Sequence, residues 1–199
     1  MIVIDVETSG IDPNKSSIVS IGAVDFENPG NTFYGECKVF DEAEIHPKAL
    51  EVNGFTLNQL TDKNKKSDSE LIKSFFSWIA SINDKTIASH NIWFDYSFLK
   101  STAERAGITI QFGYRCVDLH SIAFNHFAKS NLKIPLKNNS SHLTSEFIFN
   151  YVGLTNEPVP HNALTGAKMA AESFSRLIHG KNLLQEFKNH RIPKILKTL

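Results

Sequence analysis

The chain begins with an apolar run that passes directly into two acidic residues, Met1-Ile-Val-Ile-Asp5-Val-Glu7. A run of Val and Ile predicts a buried strand, here over residues 2–6. Because side chains i and i+2 lie on one face of a strand, Asp5 and Glu7 project side by side. Neighbouring carboxylates repel each other in a protein interior unless a cation lies between them. The pattern therefore indicates a divalent metal site, with two solvated acids at a strand end as the simpler alternative.

The composition is that of an ordinary folded domain. Of the 199 residues, 41% are hydrophobic, and 21 basic residues balance 21 acidic ones. The zero net charge argues against a protein that coats long nucleic acid, but not against an enzyme that holds a few nucleotides through bound metal. Cys37 and Cys116 lack the spacing of a metal site and are expected to be free thiols. With no membrane-length apolar stretch and no signal peptide, we expect a cytoplasmic protein without a membrane partner.

The hydrophobic pattern predicts an α/β protein with a mixed sheet flanked by helices. Strand-like runs lie at 18–26 and 32–39, joined by a turn at 28–31, and shorter ones lie at 86–89 and 114–117. Helical patterns lie at 68–79, 93–106, 119–129, 143–151 and 162–178, and residues 130–141 are predicted to form a loop. We expect one domain over residues 1–180, followed by a C-terminal helical tail at 181–199.

A second candidate acid lies in the segment 88–99. A strand is predicted to end near Ser89, Asn91 lies at the turn, and Asp95 falls in the first turn of the next helix. A carboxylate there is favoured by the helix dipole, which also explains Asp95 without any function.

A third candidate is His161, which follows a connector with two prolines and precedes a predicted helix. The ordinary pKa of a histidine lies near neutrality, so a histidine at this point can take a proton from water. The alternative is a surface histidine in a loop.

In order and spacing, these three segments resemble the DEDDh-type (DnaQ-like) 3′–5′ exonucleases. Asp5-Val-Glu7 with Thr8-Ser9-Gly10 and residues 18–23 resembles the first family motif, and His90-Asn91-x-x-Phe94-Asp95 resembles the second. His161-x-Ala163-Leu164 resembles the third. The resemblance covers roughly residues 1–180. It implies a ribonuclease H-like fold with a mixed five-stranded sheet and two-metal hydrolysis of phosphodiester bonds.

The resemblance also implies roles for individual residues. Asp5 would contact both Mg²⁺ or Mn²⁺ ions, Glu7 and Asp95 would be further metal ligands, and His161 would take the proton of the attacking water. Nucleoside monophosphates would be released from the 3′ end of single-stranded DNA or RNA, by an enzyme without an attached polymerase. The sequence does not distinguish DNA from RNA as the substrate. It also does not predict an oligomeric state or a polymerase partner. The implied substrate-binding residues are Thr8, Ser9, Gly10, Ile11, Asn91 and Phe94. Leu50 is a further apolar candidate for contact with the terminal nucleotide, although an apolar residue there is more often part of the core.

One position departs from the family pattern. The family has an aspartate, its fourth acidic metal ligand, at the fifth residue after the third-motif histidine, where this chain has Gly166. None of the residues three or four positions away on the helix is acidic. Asn162 offers only an amide oxygen close to the helix start, and Glu172 lies farther along on another side.

The missing acid leaves three alternatives. The chain is an active exonuclease with weaker metal binding, a catalytically impaired fold that binds nucleic-acid ends or nucleotides, or a chain whose aspartate was deliberately replaced. Loss of activity would be expected to remove several motif residues, whereas Asp5, Glu7, Asn91, Asp95 and His161 are all present. This favours the enzyme.

Overall fold

A five-stranded mixed sheet forms the centre of the computed structural model, which describes residues 1–197. The spatial order is β3-β2-β1-β4-β5, with β1 antiparallel to β2, β2 antiparallel to β3, and β4 parallel to both β1 and β5. The predicted α/β class and mixed five-stranded sheet are confirmed. The strands are β1 (Ile2–Thr8), β2 (Ile18–Asp25), β3 (Thr32–Glu36), β4 (Ile87–Ser89) and β5 (Val117–Asp118).

Seven α-helices surround the sheet within the described residues, and the five predicted helices are among them. The starts of five of them, α2, α3, α5, α6 and α7, are fixed by side-chain caps, which satisfy backbone N–H groups that have no partner in the first turn. Ser67 and Glu70 form a reciprocal capping box at α3, and Asn162 caps α7. No helix within residues 1–197 has the length and apolar character needed to cross a bilayer. The helices are α1 (Pro47–Asn53), α2 (Leu57–Leu60), α3 (Asp68–Ala80), α4 (Ile92–Arg105), α5 (Leu119–Lys129), α6 (Ser145–Tyr151) and α7 (Ala163–His179).

Four predicted segments differ from the structure. The strand predicted at 114–117 is reduced to β5, Val117–Asp118, because residues 114–116 form no strand. Strand β3 ends at Glu36 rather than at residue 39, because the N–H groups of Lys38 and Val39 donate to carbonyls outside the sheet. The predicted loop 130–141 contains a small hairpin, β6 (Leu136–Lys137) and β7 (Ser140–Ser141). Its turn is Asn138-Asn139 with φ of 51° and 61°, the left-handed backbone that two-residue hairpin turns require. Between residues 181 and 197 the tail forms two 3₁₀ turns, Gln185–Phe187 and Lys194–Leu196, rather than a continuous helix.

The two faces of the sheet carry separate hydrophobic cores, as alternation along β1 requires. Ile2 and Ile4 face one core, where α3 and α4 contribute Phe75 and Phe98. Val3 faces the other core, where α5, α6 and α7 pack. Full burial of each large apolar side chain contributes about 1.5–3 kcal/mol, so β1 is held from both sides.

Helix α7 lies directly on the centre of the sheet. A β-carbon at Gly22 of β2 would overlap the backbone of Ala163 and Leu164, so strand and helix meet backbone to backbone. Gly22 is paired with Asp5 across the sheet. This close approach brings the start of α7 beside the first acid of β1.

A buried ion pair within α7 connects this helix to the tail through further hydrogen bonds of both side chains. Arg176 Nε lies 2.7 Å from Glu172 Oε1, and both side chains are fully buried. Glu172 Oε2 also accepts hydrogen bonds from the N–H groups of Leu183 and Leu184. Arg176 donates to the carbonyls of Phe187 and His190. The tail is therefore packed against the preceding fold, and a domain boundary at residue 180 stays a prediction.

Candidate active site

The acids of β1 line a cavity of about 260 Å³ beyond the carboxyl ends of β1 and β4. In parallel α/β sheets this end of the strands is the usual place for a ligand. Most of the residues predicted from the sequence meet here, although they come from separate segments. The cavity lining includes Asp5, Glu7, Asn91, Phe94, Asp95, His161 and Gly166.

Asp95 reaches β1 through a gap in the sheet. Strand β4 pairs with β1 only at Ile2 and Val3, so the Val6 N–H beyond them has no partner in β4. Asp95 Oδ1 accepts a hydrogen bond from this N–H at 3.0 Å. Asp95 is thereby fixed to Val6, the residue that separates Asp5 from Glu7 in the strand.

The helix that carries Asp95 is anchored at its start. Asn91 precedes it with φ 56° and ψ 53°, a left-handed turn in which its side chain makes no capping bond. The Ile92 N–H donates instead to Asp118 Oδ2 at 3.0 Å, while Asp118 Oδ1 accepts from Ser121 N–H. One carboxylate thus holds the starts of α4 and α5 together.

His161 stands at the edge of the cavity, where its side chain is 31% exposed. Its backbone N–H donates to the carbonyl of Val52 in α1 at 2.9 Å. Its Nδ1 lies 3.7 Å from Glu157 Oε2. Since α7 begins two residues later, the histidine is positioned by both α1 and α7.

The electrostatics of the cavity favour a cation. Burial, followed by the charges of Asp95, Glu7 and Glu157, raises the pKa of Asp5 well above its ordinary value. Burial and the charge of Glu157 raise the pKa of Glu7 to about 8. Burial raises the pKa of Asp95 to about 7, against hydrogen bonds from Ser89 and Val6 that lower it. Among the described lining residues none is Lys or Arg, so no side-chain cation in the lining balances these acids.

An adjoining apolar pocket of about 470 Å³ shares Glu7 and Phe94 with the first cavity. The end of β1 and the turn after it contribute Thr8, Gly10 and Ile11 to the lining of this pocket, and all three were predicted to contact substrate. Ile11 is 83% exposed, unusual for a large apolar side chain.

Helix α1 forms the opposite wall of this pocket. Asn53 Nδ2 donates to the Thr8 carbonyl at 3.0 Å, and the His46 N–H donates to the Ser9 carbonyl at 2.7 Å. These bonds fix the pocket wall relative to β1. Ala49 and Val52 line the pocket, whereas Leu50, between them in sequence, does not.

Ser9, like the candidate Leu50, is a predicted substrate-binding residue that the structure places in neither cavity. It is fully buried, and its hydroxyl donates to the Glu44 carbonyl at 2.7 Å. The same oxygen accepts from the Ser17 N–H at 2.9 Å. Ser9 thus holds the turn in shape, and a substrate role for its side chain stays without structural support.

Neither residue considered as a replacement for the missing acid is available. Asn162 Oδ1 accepts from the N–H groups of Leu164 and Thr165 as the cap of α7. Glu172 is committed to Arg176 and to the tail. Gly166 lies in the buried part of α7, where a β-carbon would stand 2.5 Å from Asp5 Oδ2.

The sequence analysis missed one acid, Glu157. Its carboxylate, the carboxylate of Glu7 and the imidazole of His161 offer possible metal-ligand atoms that all lie within 4.8 Å of one another. The replacements weighed from the sequence, Asn162 and Glu172, lie on the predicted helix 162–178, whereas Glu157 lies in the connector before it. The available signal was an acid four residues before the motif histidine.

Comparison with known proteins decides the family. The model of the family described as Exonuclease, RNase T type, matches residues 2–174. The chain belongs to this exonuclease family. The resemblance stated from the motifs is therefore confirmed.

Relatives of this exonuclease-family chain include bacterial enzymes. DNA polymerase III PolC-type of Thermotoga maritima is 33% identical over 99 residues, which is 50% of this chain and 7% of the polymerase. Ribonuclease T of Haemophilus influenzae is 28% identical over 120 residues, which is 54% of this chain and 52% of that enzyme. The match thus spans about half the length of ribonuclease T and a small part of the polymerase.

Solved structures of exonucleases share the fold. The nuclease domain of 3′hExo, described as a DEDDh family member bound to rAMP, superposes with a TM-score of 0.69 at 15% identity, covering 97% of this chain and 95% of that chain. E. coli Exonuclease I in complex with a dA16 oligonucleotide gives a TM-score of 0.69 at 16% identity, covering 90% of this chain and 40% of that chain. The predicted ribonuclease H-like fold is confirmed.

Proposed function

We propose that this chain is a metal-dependent 3′–5′ exonuclease that releases nucleoside monophosphates from single-stranded DNA or RNA. The observation that carries the proposal is the meeting of Asp5, Glu7, Asp95 and His161 at one cavity beside an open apolar pocket. Membership of the exonuclease family supports the reaction type. Exonuclease I structures with bound oligonucleotides support a single-stranded substrate.

The donor set fits Mg²⁺ or Mn²⁺, which prefer carboxylate oxygens. Burial raises the pKa of the acids at the cavity, and no lining Lys or Arg among the described residues compensates them. Asp5, Glu7 and Asp95 would hold the ions. When bound, two divalent ions would lower the pKa of a water and stabilise the charge on the leaving oxygen.

His161 is the general base in this proposal. It lies at the cavity edge with an imidazole that is accessible to solvent and fixed through its own backbone. A histidine positioned in this way takes the proton of the attacking water as the phosphodiester bond is broken. The side chain then returns the proton to solvent through its exposed edge.

The apolar pocket is proposed to receive the terminal nucleotide. Ile11 and Phe94 offer apolar surface to a base or ribose, beside the acids that act on the phosphate. Packing on the face of a base is tolerant of sequence, because every base presents such a face. The rigid turn at Thr8, whose hydroxyl donates to the Gly10 carbonyl at 2.6 Å, keeps this surface in place.

A degradation assay tests the proposal. Single-stranded DNA and RNA labelled at the 5′ end are incubated with the chain in Mg²⁺, in Mn²⁺ and in EDTA. We expect a ladder that shortens from the 3′ end with release of mononucleotides, only with metal, and none with Asp5→Ala. Binding without shortening of either substrate would favour a non-catalytic module, and activity of Asp5→Ala within a few-fold of wild type would overturn the site.

A further inference from the structure

We infer that Glu157 supplies the fourth carboxylate of the metal site, in place of the one absent at Gly166. The inference rests on the proposed function and assigns to that site a residue outside the three family motifs. The acid comes from the connector before α7 rather than from α7 itself.

The placement of Glu157 is the first argument. Its possible ligand atoms share a 4.8 Å cluster with those of Glu7 and His161, and its side chain lines the same cavity as Asp5 and Asp95. Four acids from three separate parts of the fold thus face one space. Such an arrangement is unfavourable without a cation, because each charge opposes its neighbours.

The unpaired oxygen of Glu157 is an independent argument. The side chain is only 10% exposed, and its Oε1 is buried without a hydrogen-bond partner among residues 1–197. Leaving a buried acceptor unsatisfied costs roughly 1–3 kcal/mol, and more for a charged group. A divalent cation in the cavity would satisfy this oxygen.

The contact between α7 and Asp5 agrees with a fourth acid that comes from another segment. A β-carbon at Gly166 would stand 2.5 Å from Asp5 Oδ2 and 2.8 Å from Asp5 Cγ. A side chain at residue 166 would therefore displace the Asp5 carboxylate from the position that it has here. The carboxylate of Glu157 instead approaches from the side of His161.

Glu157 is held by bonds on both sides of it in the chain. The Leu154 N–H donates to the Phe149 carbonyl at 2.8 Å, and Asn156 Oδ1 accepts from Asn150 Nδ2 at 2.5 Å. On the other side, the His161 N–H is bound to Val52. The connector is thus tied to α6 and α1, as a residue that places a metal ligand must be.

Orientation of His161 is the alternative role for this carboxylate. Glu157 Oε2 lies 3.7 Å from His161 Nδ1, longer than a hydrogen bond. That role also leaves Oε1 without a partner. Loss of a metal ligand would weaken metal binding, whereas loss of a residue that orients His161 would leave metal affinity unchanged. Metal affinity therefore distinguishes the two roles.

Calorimetric titration of the full chain with Mn²⁺, without nucleic acid, tests the inference. We expect Glu157→Gln to weaken Mn²⁺ binding by at least about tenfold, the loss that even residues behind the direct ligands produce. Glu27→Gln is the matched control, since it removes an equal charge from an exposed residue after β2 that does not line the cavity. It should bind Mn²⁺ as wild type does. Thermal unfolding in EDTA checks that both variants are folded.

The other outcomes separate this inference from the proposed function. Wild-type affinity in Glu157→Gln, with binding lost in Asp5→Asn, would overturn the role of Glu157 and leave the exonuclease proposal standing. A lower kcat for Glu157→Gln at saturating Mn²⁺ with unchanged affinity would make it a positioning residue for His161, which also overturns the inference. Failure of the wild-type chain to bind Mn²⁺ would overturn both.

Discussion

The carboxylate of Asp5 rests against the backbone of Gly166, with only 2.5 Å between its Oδ2 and the place of a β-carbon on that glycine. The glycine therefore does more than mark a missing ligand. It allows a strand and a helix to bring their backbones close to the same acid.

Gly166→Ala should lower nuclease activity by about tenfold or more, because a methyl group would push Asp5 from the position in which it is proposed to hold metal. The helix propensity of Ala would favour the variant by roughly 1 kcal/mol, so lost activity would not reflect a weaker helix. Rates at several Mn²⁺ concentrations and a thermal melt measure the two effects. Gly113→Ala is the control, since its β-carbon would meet nothing within 4 Å. Full activity of Gly166→Ala would show that Asp5 moves without consequence.

His161→Ala should lower the rate by about 10²–10⁴-fold, the usual contribution of a general base. Calorimetric titration with Mn²⁺ should show affinity near that of wild type. His161 also belongs to the cluster of possible ligand atoms, so the opposite pattern is informative. A variant that loses Mn²⁺ but keeps its rate at saturating metal would make His161 a ligand.

Metal-free protein should gain stability from Glu7→Gln, and the gain should grow with pH. Burial and Glu157 raise the pKa of Glu7 from its ordinary value of 4.5 to about 8. Between these values the folded state binds more protons than the unfolded state, so the stability of wild type falls as pH rises through this range. Urea unfolding in EDTA should show little difference at pH 4 and a gain of at least about 1 kcal/mol at pH 8. A difference independent of pH would contradict the raised pKa.

Ile11→Ala should raise KM several-fold and leave kcat nearly unchanged. Ile11 lines the apolar pocket and is 83% exposed, so its loss removes contact area without opening the core. Uniform loss of substrate binding affects KM alone. Steady-state rates on short single-stranded substrates measure both constants. Val159, 77% exposed but outside the pocket, provides the control Val159→Ala. An equal change in both variants would remove Ile11 from the substrate site.

Local patterns in the sequence predicted the residues whose positions depend on local structure. Alternation along β1 put Asp5 and Glu7 on one face, and the first turn of a helix placed Asp95. Glu157 followed no such pattern, because a connector with prolines has no period from which a direction follows. Its place depends on bonds to α6 and α1 that join residues far apart in the chain.

Ser9 is a residue for which local sequence predicted a contact that the structure does not support. Its neighbours Thr8 and Gly10 line the apolar pocket, so its sequence position predicted a substrate contact. Bonds to the Glu44 carbonyl and the Ser17 N–H turn the hydroxyl into the protein instead. Adjacent residues of a tight turn point in different directions. Hydrogen bonds to residues distant in the sequence, such as those of Ser9, determine which side chains face the pocket.

The buried pair of Glu172 and Arg176 changes what the last residues of the chain do. Helix α7 carries Gly166 near its start and this pair near its end, within a single element of 17 residues. Residues 181–197 bind the C-terminal half of α7 through Glu172 and Arg176, while the start of the same helix lies against Asp5 at Gly166. Without these residues, the buried Arg176 and Glu172 would lose most of their backbone partners, which would destabilise the packing of α7. The residues beyond α7 thus help to hold in place the helix whose start lies against Asp5.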